Sequence, residues 1–204
     1  YSENRVYVGI KKVAPVMQQA IVAIEDARFY EHNGVDARGT LRALVANSQA
    51  GGVTQGGSTL TQQYVKNYTL LVTAQTDAER KSAVETTPAR KLREIRMALA
   101  LDKVLTKPEI LTRYLNLVSF GNGSYGVQDA ARTYFGIDAA QLNWQQAALL
   151  AGMVQSTSTL NPYTNPQAAL DRRNLVLDTM IENVPDADRP RHGQGRGCLP
   201  ALRP

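Results

Sequence analysis

One segment after another of this chain opens on a helix-starting signal, and only Arg5 to Ile10 alternates apolar and polar residues in the manner of a strand. A chain so punctuated has few ways to build a sheet, so the expected fold class is all-α. Pro15, whose missing N–H costs nothing in a first turn, opens a helix carrying Val16, Ala20, Ile24 and Ala27 on one face and ending near Asn33-Gly34. Asp36 caps a second helix through Leu41, Leu44 and Val45, stopped by Gly51-Gly52, and the glycine-rich stretch to Gly57 reads as a loop. Ser58 reads as the N-cap of a third helix, Thr59 to about Asn67, and the polar stretch from Thr73 to Thr87 shows no clear period.

Thr87-Pro88 starts a long helix with Leu92, Ile95, Leu99 and Lys103 spaced along it. Thr106 to Glu109 forms a capping box for the next, whose apolar face is Ile110, Leu111, Tyr114, Leu115 and Val118. Beyond the turn-rich Gly121-Asn122-Gly123-Ser124, helices are predicted near Val127 to Phe135, Trp144 to Met153, and Pro166 to about Asn183. Residues 1–184 read as one domain, and 185–204, rich in Pro, Gly and Arg without periodicity, as a disordered tail.

The totals narrow the chemistry. A formal charge of +5 suits an anionic partner, but the basic residues lie inside helical patterns rather than in polybasic tracts, so nucleic acid is not expected. With one cysteine, Cys198, and two histidines, His32 and His192, neither a thiolate nor a multi-histidine zinc site can be built, and any metal must sit on carboxylates. No apolar run approaches the roughly 20 residues that span a bilayer. Because the chain opens at Tyr1 without a leader, it is expected to be a fragment whose targeting segment has been removed.

Three constellations could carry chemistry. In Glu25-Asp26 to His32-Asn33-Gly34, acids and a histidine crowd the end of an apolar helix, against the helix dipole. Glu25 could be a general base raised in pKa by burial against Ile24 and Phe29; alternatively the segment is a solvated acidic face with His32 as a cap. In Gly56-Gly57-Ser58-Thr59 to Lys66-Asn67, a glycine loop feeds a helix N-terminus, a generic phosphate site, although an ordinary capped helix explains the same residues. Arg90-Lys91-Leu92-Arg93-Glu94 places Arg90 and Glu94 one turn apart, which in isolation suggests a surface ion pair of about 0.3–0.5 kcal/mol. Arg172-Arg173 invites the same bland account.

Taken in order, these stretches resemble the glycosyltransferase family 51 module of class A penicillin-binding proteins and of monofunctional peptidoglycan glycosyltransferases. The first motif is seen in Glu25-Asp26 with Phe29, His32 and Gly34; the second in Gly57-Ser58-Thr59 with Thr61-Gln62-Gln63 and Lys66-Asn67. The third is Arg90-Lys91 with Glu94, the fourth Lys107 with Ile110-Leu111 and Tyr114-Leu115-Asn116, the fifth Arg172-Arg173 with Val176-Leu177. The resemblance implies a lysozyme-like helical fold with a larger lobe and a small membrane-facing jaw. It also implies transfer of a growing glycan from undecaprenyl diphosphate to the 4-hydroxyl of lipid II, at the extracytoplasmic face of the bacterial cell membrane.

By the motif match Glu25 is the base. Glu94 assists at the diphosphate, by positioning cations or by holding a divalent ion such as Mg2+, and no organic cofactor is implied. Asp26, Phe29, His32, Ser58, Thr61, Gln62, Gln63, Lys66, Asn67, Arg90 and Lys91 are the substrate-binding candidates. Implied partners are lipid II, the growing glycan, the membrane surface and other cell-wall synthesis proteins. Tyr68, Leu70, Leu71 and Val72 read as a segment that dips into a lipid interface. No Ser-x-x-Lys or Lys-Thr-Gly pattern of a penicillin-binding transpeptidase occurs. The alternatives are a lysozyme-like muramidase, which would lack cations for a diphosphate, and an inactive substrate-binding module.

Overall fold

A computed structural model describes residues 6–50, 56–85, 87–183 and 196–204, and among them the fold is all-α with one small hairpin. The helices are α1 (Pro15–Glu25), α2 (Ala37–Ala50), α3 (Leu60–Tyr68), α4 (Asp77–Val84), α5 (Pro88–Asp102), α6 (Lys107–Leu117), α7 (Val127–Phe135), α8 (Trp144–Met153) and α9 (Pro166–Asn183). Strands β1 (Ser119–Gly121) and β2 (Ser124–Tyr125) pair antiparallel. The chain divides into two compact units: Tyr1–Ala27 with Leu115–Pro204, and Arg28–Tyr114.

In the first unit α8 packs against both α9 and α1. It can do so because Ala147 through Met153 are all buried, alanines and a glycine allowing close approach while Leu149 and Leu150 fill the space between. Of the expected stripe on α1 only Ala20 is buried, with Met17, Ile21 and Ala23 beside it, while Val16 and Ile24 are half-covered and Ala27 is exposed. The helix also ends at Glu25, well before Asn33, because Asp26 leaves the helical conformation (φ −160°, ψ 68°). Glu25 is thereby the last helical residue.

Among the described residues of the alternating segment, Val6 to Ile10, none joins a sheet. Val8 donates its N–H to Asn116 Oδ1 (2.8 Å) and accepts from Asn116 Nδ2 (2.9 Å), so one side-chain amide supplies both bonds that a neighbouring strand would have made. The strands that do form lie in the stretch read as a turn: Gly121, Asn122 and Gly123 have positive φ and fold Ser119–Tyr125 into a hairpin. Tyr134 closes it by donating to the Phe120 carbonyl (2.8 Å).

Of the stretch 185–204, residues 196–204 are described and make contacts with the first unit, and 184–195 lie outside the described residues. Arg203 N–H donates to the Tyr134 carbonyl (2.8 Å), and Tyr163 Oη donates to the Arg203 carbonyl (2.7 Å). The Arg173 guanidinium, wholly buried rather than on the surface, donates through Nη2 to the Cys198 carbonyl (2.8 Å). A buried cation needs acceptors, and the terminal segment supplies one. Composition could not show this, because main-chain carbonyls serve as acceptors whatever side chains they carry.

In the second unit Asp36 caps α2 as expected, accepting from Gly39 N–H (2.9 Å). Leu41 and Val45 point outward, and Leu44 lies among the side chains outside the described set. The polar stretch from Thr73 folds: Thr76 and Glu79 form a capping box that starts α4. A short π-helix, Thr69–Thr73, continues α3.

Candidate functional site

The second unit gathers most of the motif residues. Thr59, not Ser58, is the N-cap of α3: its hydroxyl accepts from Gln62 N–H (3.2 Å) while its own N–H donates to Gln62 Oε1 (3.0 Å). The reciprocal Thr-x-x-Gln pair outcompetes the neighbouring serine because it satisfies two groups at once. The Thr59 hydroxyl also donates to the Gly34 carbonyl (2.7 Å), tying the end of the first motif to the second. Gly34 has φ +78°, and a Cβ there would stand 2.6 Å from the Ala98 carbonyl oxygen on α5, so only glycine fits.

Released from capping, Ser58 faces α5. Lys91 Nζ donates to Ser58 Oγ (2.7 Å) and to Glu94 Oε1 (2.5 Å), with Gln62 Oε1 at 3.4 Å. Arg90 Nη1 donates to the other Glu94 oxygen (2.6 Å), and its Nε reaches the Glu85 carbonyl. Glu94 is 5% exposed. The buried face of α5 is therefore Glu94 and Ala98, and the expected stripe is inverted: Leu92 and Leu99 are exposed. Two cations fixed on one buried carboxylate form a preassembled positive site, not the surface pair the spacing alone suggests.

Phe29 and His32 are held by a residue of the fourth motif that was not among the substrate-binding candidates. Lys107, the first residue of α6, donates to the His32 carbonyl (2.5 Å) and to Asp102 Oδ1 (2.7 Å), and stands 4.9 Å from the centre of the buried Phe29 ring. A lysine in the first turn opposes the helix dipole, and that mismatch was the available signal for a partner elsewhere. Arg28 pairs with Asp36 across the same turn. Gln63 Oε1 accepts from Tyr114 Oη (3.0 Å), Thr61 is buried, Asn67 is half-buried, and Lys66 is exposed on the last turn of α3.

The first unit holds Glu25 and Asp26. Asp26 is buried and Glu25 half-buried. Arg172 on α9, also half-buried, is the cation whose charge bears on Glu25: burial pulls the guanidinium pKa down and the carboxylate opposes this. Its Nε approaches the Gly152 carbonyl at 3.4 Å.

A family model described as Transglycosylase matches residues 1–181. The chain belongs to the transglycosylase family. A protein of Cupriavidus necator, whose name gives it as a candidate transglycosylase, is 41% identical over 86% of this chain and 71% of its own length. Penicillin-binding protein 1A of Streptococcus oralis is 44% identical over 88% of this chain, and penicillin-binding protein 1A/1B of Bacillus subtilis 42% over 88%. This chain spans only 27% and 18% of those two proteins. The solved structure of penicillin-binding protein 1A from Haemophilus influenzae aligns with 87% of this chain at 21% identity and a TM-score of 0.44. Family membership and the all-helical fold agree with the resemblance drawn from the five motifs.

Proposed function

We propose that this transglycosylase domain polymerises lipid II into β-1,4-linked glycan strands with release of undecaprenyl diphosphate. The observation that carries the reading is the Arg90–Glu94–Lys91 cluster beside the capped end of α3. A diphosphate leaves well once its developing charge is met, so such an enzyme needs cations at the leaving group and one base at the nucleophile. A muramidase needs a proton donor at the leaving sugar oxygen and has no use for this cluster.

In this account Glu25 takes the proton of the acceptor 4-hydroxyl as that oxygen bonds to the donor's anomeric carbon. The anomeric C–O bond breaks and its electron pair leaves on the diphosphate, which Arg90, Lys91 and Lys66 stabilise. One displacement inverts the centre. Ser58, Thr61, Gln62, Gln63 and Asn67 would line the phosphate and sugar path, while Asp26, Phe29 and His32 hold the first motif in place.

Of the two roles open to Glu94, its surroundings support positioning. Both oxygens already accept from cations, and among the described residues no three His, Cys, Asp or Glu side chains stand together to hold a metal ion. A single carboxylate would hold Mg2+ only together with the phosphates of the substrate, so Glu94 is given the positioning role and no step here passes through a metal.

No helix among the described residues is long and apolar enough to cross a membrane. The exposed Tyr68, Val72, Leu92, Met97 and Val104 of the second unit support contact with the extracytoplasmic membrane surface, where the lipid-linked substrate and other cell-wall synthesis proteins would be met. Incubation with lipid II and separation by size tests the reading: it expects products longer than the substrate, whereas shortening of finished glycan without elongation of lipid II would select the hydrolase.

A further inference from the structure

Helix α5 turns most of its surface outward. Of its 15 residues only Glu94 and Ala98 are buried, and α3 packs on that side. At about 3.6 residues per turn, the residue opposite the midpoint of Glu94 and Ala98 is Arg96. Its neighbours one turn away, Leu92, Arg93, Leu99 and Ala100, are exposed, as are Ala89 and Lys103 two turns away. Leu92, Met97, Leu99 and Val104 are between 40% and 75% exposed.

The face is distinctive for what it omits. A helix turned to water ordinarily carries charges of both signs among neutral polar groups. Helix α5 contains no Ser, Thr, Asn or Gln. Its two acids are already engaged: Glu94 accepts from Arg90 and Lys91, and Asp102 from Lys107. The outward surface is left with apolar side chains interleaved with Arg93, Arg96 and Lys103, to which the helix offers no acid in return.

Each kind of occupant makes a different demand on such a face. A second copy meeting it about a two-fold axis would set the cations against themselves. A water-soluble polyanion has no use for the leucines and the methionine. A layer of anionic headgroups over acyl chains takes both, because arginine and lysine bury their stems while their charges reach the phosphates.

We propose that α5 lies in the plane of an anionic phospholipid surface, with Arg93, Arg96 and Lys103 on headgroup phosphates and Leu92, Met97, Leu99 and Val104 at the boundary with the acyl chains. This rests on the reading that the domain works at a membrane, and it names the lipid class and the helix that meets it. The inward side of the same helix carries Arg90, Lys91 and Glu94. A helix is about 10 Å across, so docking α5 sets the leaving-group cations about one helix diameter from the headgroups, the depth at which a lipid-linked diphosphate stands.

The test is equilibrium binding of the 204-residue chain to phosphatidylcholine vesicles with and without about 30% phosphatidylglycerol. The parent should prefer the anionic vesicles by on the order of a hundredfold, about fivefold for each of the three cations. Arg93→Gln with Arg96→Gln and Lys103→Gln should lose most of that preference. Arg93→Lys with Arg96→Lys should keep it, as should Lys11→Gln with Lys12→Gln, which removes exposed charge from the first unit. Lipid II polymerisation by the triple glutamine variant should match the parent in neutral detergent micelles and fall in anionic vesicles.

Equal binding of the parent to both vesicles, or an unaltered preference in the folded triple variant, overturns the proposal and leaves membrane contact standing. Should the triple variant not fold, an unaltered preference in Arg96→Gln overturns it. A parent that binds neither vesicle sinks the membrane reading as well. Self-association of the parent that the triple variant abolishes would give the face to a second copy and overturn the lipid assignment. A preference lost as expected, in a chain that never elongates lipid II, would uphold the lipid contact and sink the polymerase reading instead.

Discussion

Replacing Glu94 with glutamine keeps the side-chain shape and removes the charge that holds Arg90 and Lys91. Side-chain exposures are 6% for Glu94, 17% for Arg90 and 37% for Lys91, with contacts of 2.6 and 2.5 Å. An exposed helix pair contributes about 0.3–0.5 kcal/mol, whereas removing one partner of a buried pair costs about 3–5 kcal/mol. Solvent screens the Lys91 contact, so the expected loss is about 2–3 kcal/mol, carried chiefly by Arg90. For a chain of this size that lowers Tm by about 4–12 °C. Calorimetry of the parent and Glu94→Gln at low and high salt measures it, and the difference should persist in salt because the carboxylate is shielded from water. Chelating divalent cations should leave the parent's Tm unchanged, since Arg90 and Lys91 already compensate the carboxylate's charge. A loss below about 0.5 kcal/mol would return the trio to an ordinary surface pair and remove the support for a preassembled cation site.

Burial pushes the Asp36 carboxyl upward, but Gly39 N–H and the Arg28 charge outweigh it and hold the pKa below the usual 3.8. Its stabilising contribution is therefore complete above that value and lost as pH falls through the lower folded value; acid titration of the parent beside Asp36→Asn should show a shallower loss below about pH 4 in the variant. Truncation before Arg196 strips the Cys198 carbonyl from buried Arg173 and should cost on the order of 1.5–3 kcal/mol in thermal unfolding, with an unchanged Tm contradicting the strapped terminus. Tyr68→Ser with Val72→Ser should reduce co-sedimentation with anionic vesicles several-fold without altering the fold, by removing exposed apolar surface; equal binding would place the membrane contact elsewhere.

The helix starts were legible where chemistry is local. Pro15, Thr87-Pro88, the Thr106–Glu109 box and Pro166 each mark an observed N-terminus, because capping depends on a few adjacent atoms. The buried faces were less so. The apolar spacing of α5 selected Leu92 and Leu99, but α3 packs on the side bearing Glu94, and a charge buried among partners from distant sequence has no periodic signature. The same limit hid the bond from Lys107 to the His32 carbonyl, 75 residues away, and the pairing of Val8 with Asn116, 108 residues apart. The pairing of Arg90 with Glu94 could be read from their spacing, but the burial of Glu94 and its second cation, Lys91, became visible only in the fold.

The central claim is that Glu25 is the base of a lipid II polymerase, and initial polymerisation rates of the parent and Glu25→Gln test it most directly. Glutamine keeps the shape at the end of α1 and removes the basicity, so a folded Glu25→Gln chain should lose about two to four orders of magnitude in rate. Polymerisation at the parent's rate by that variant would contradict the account.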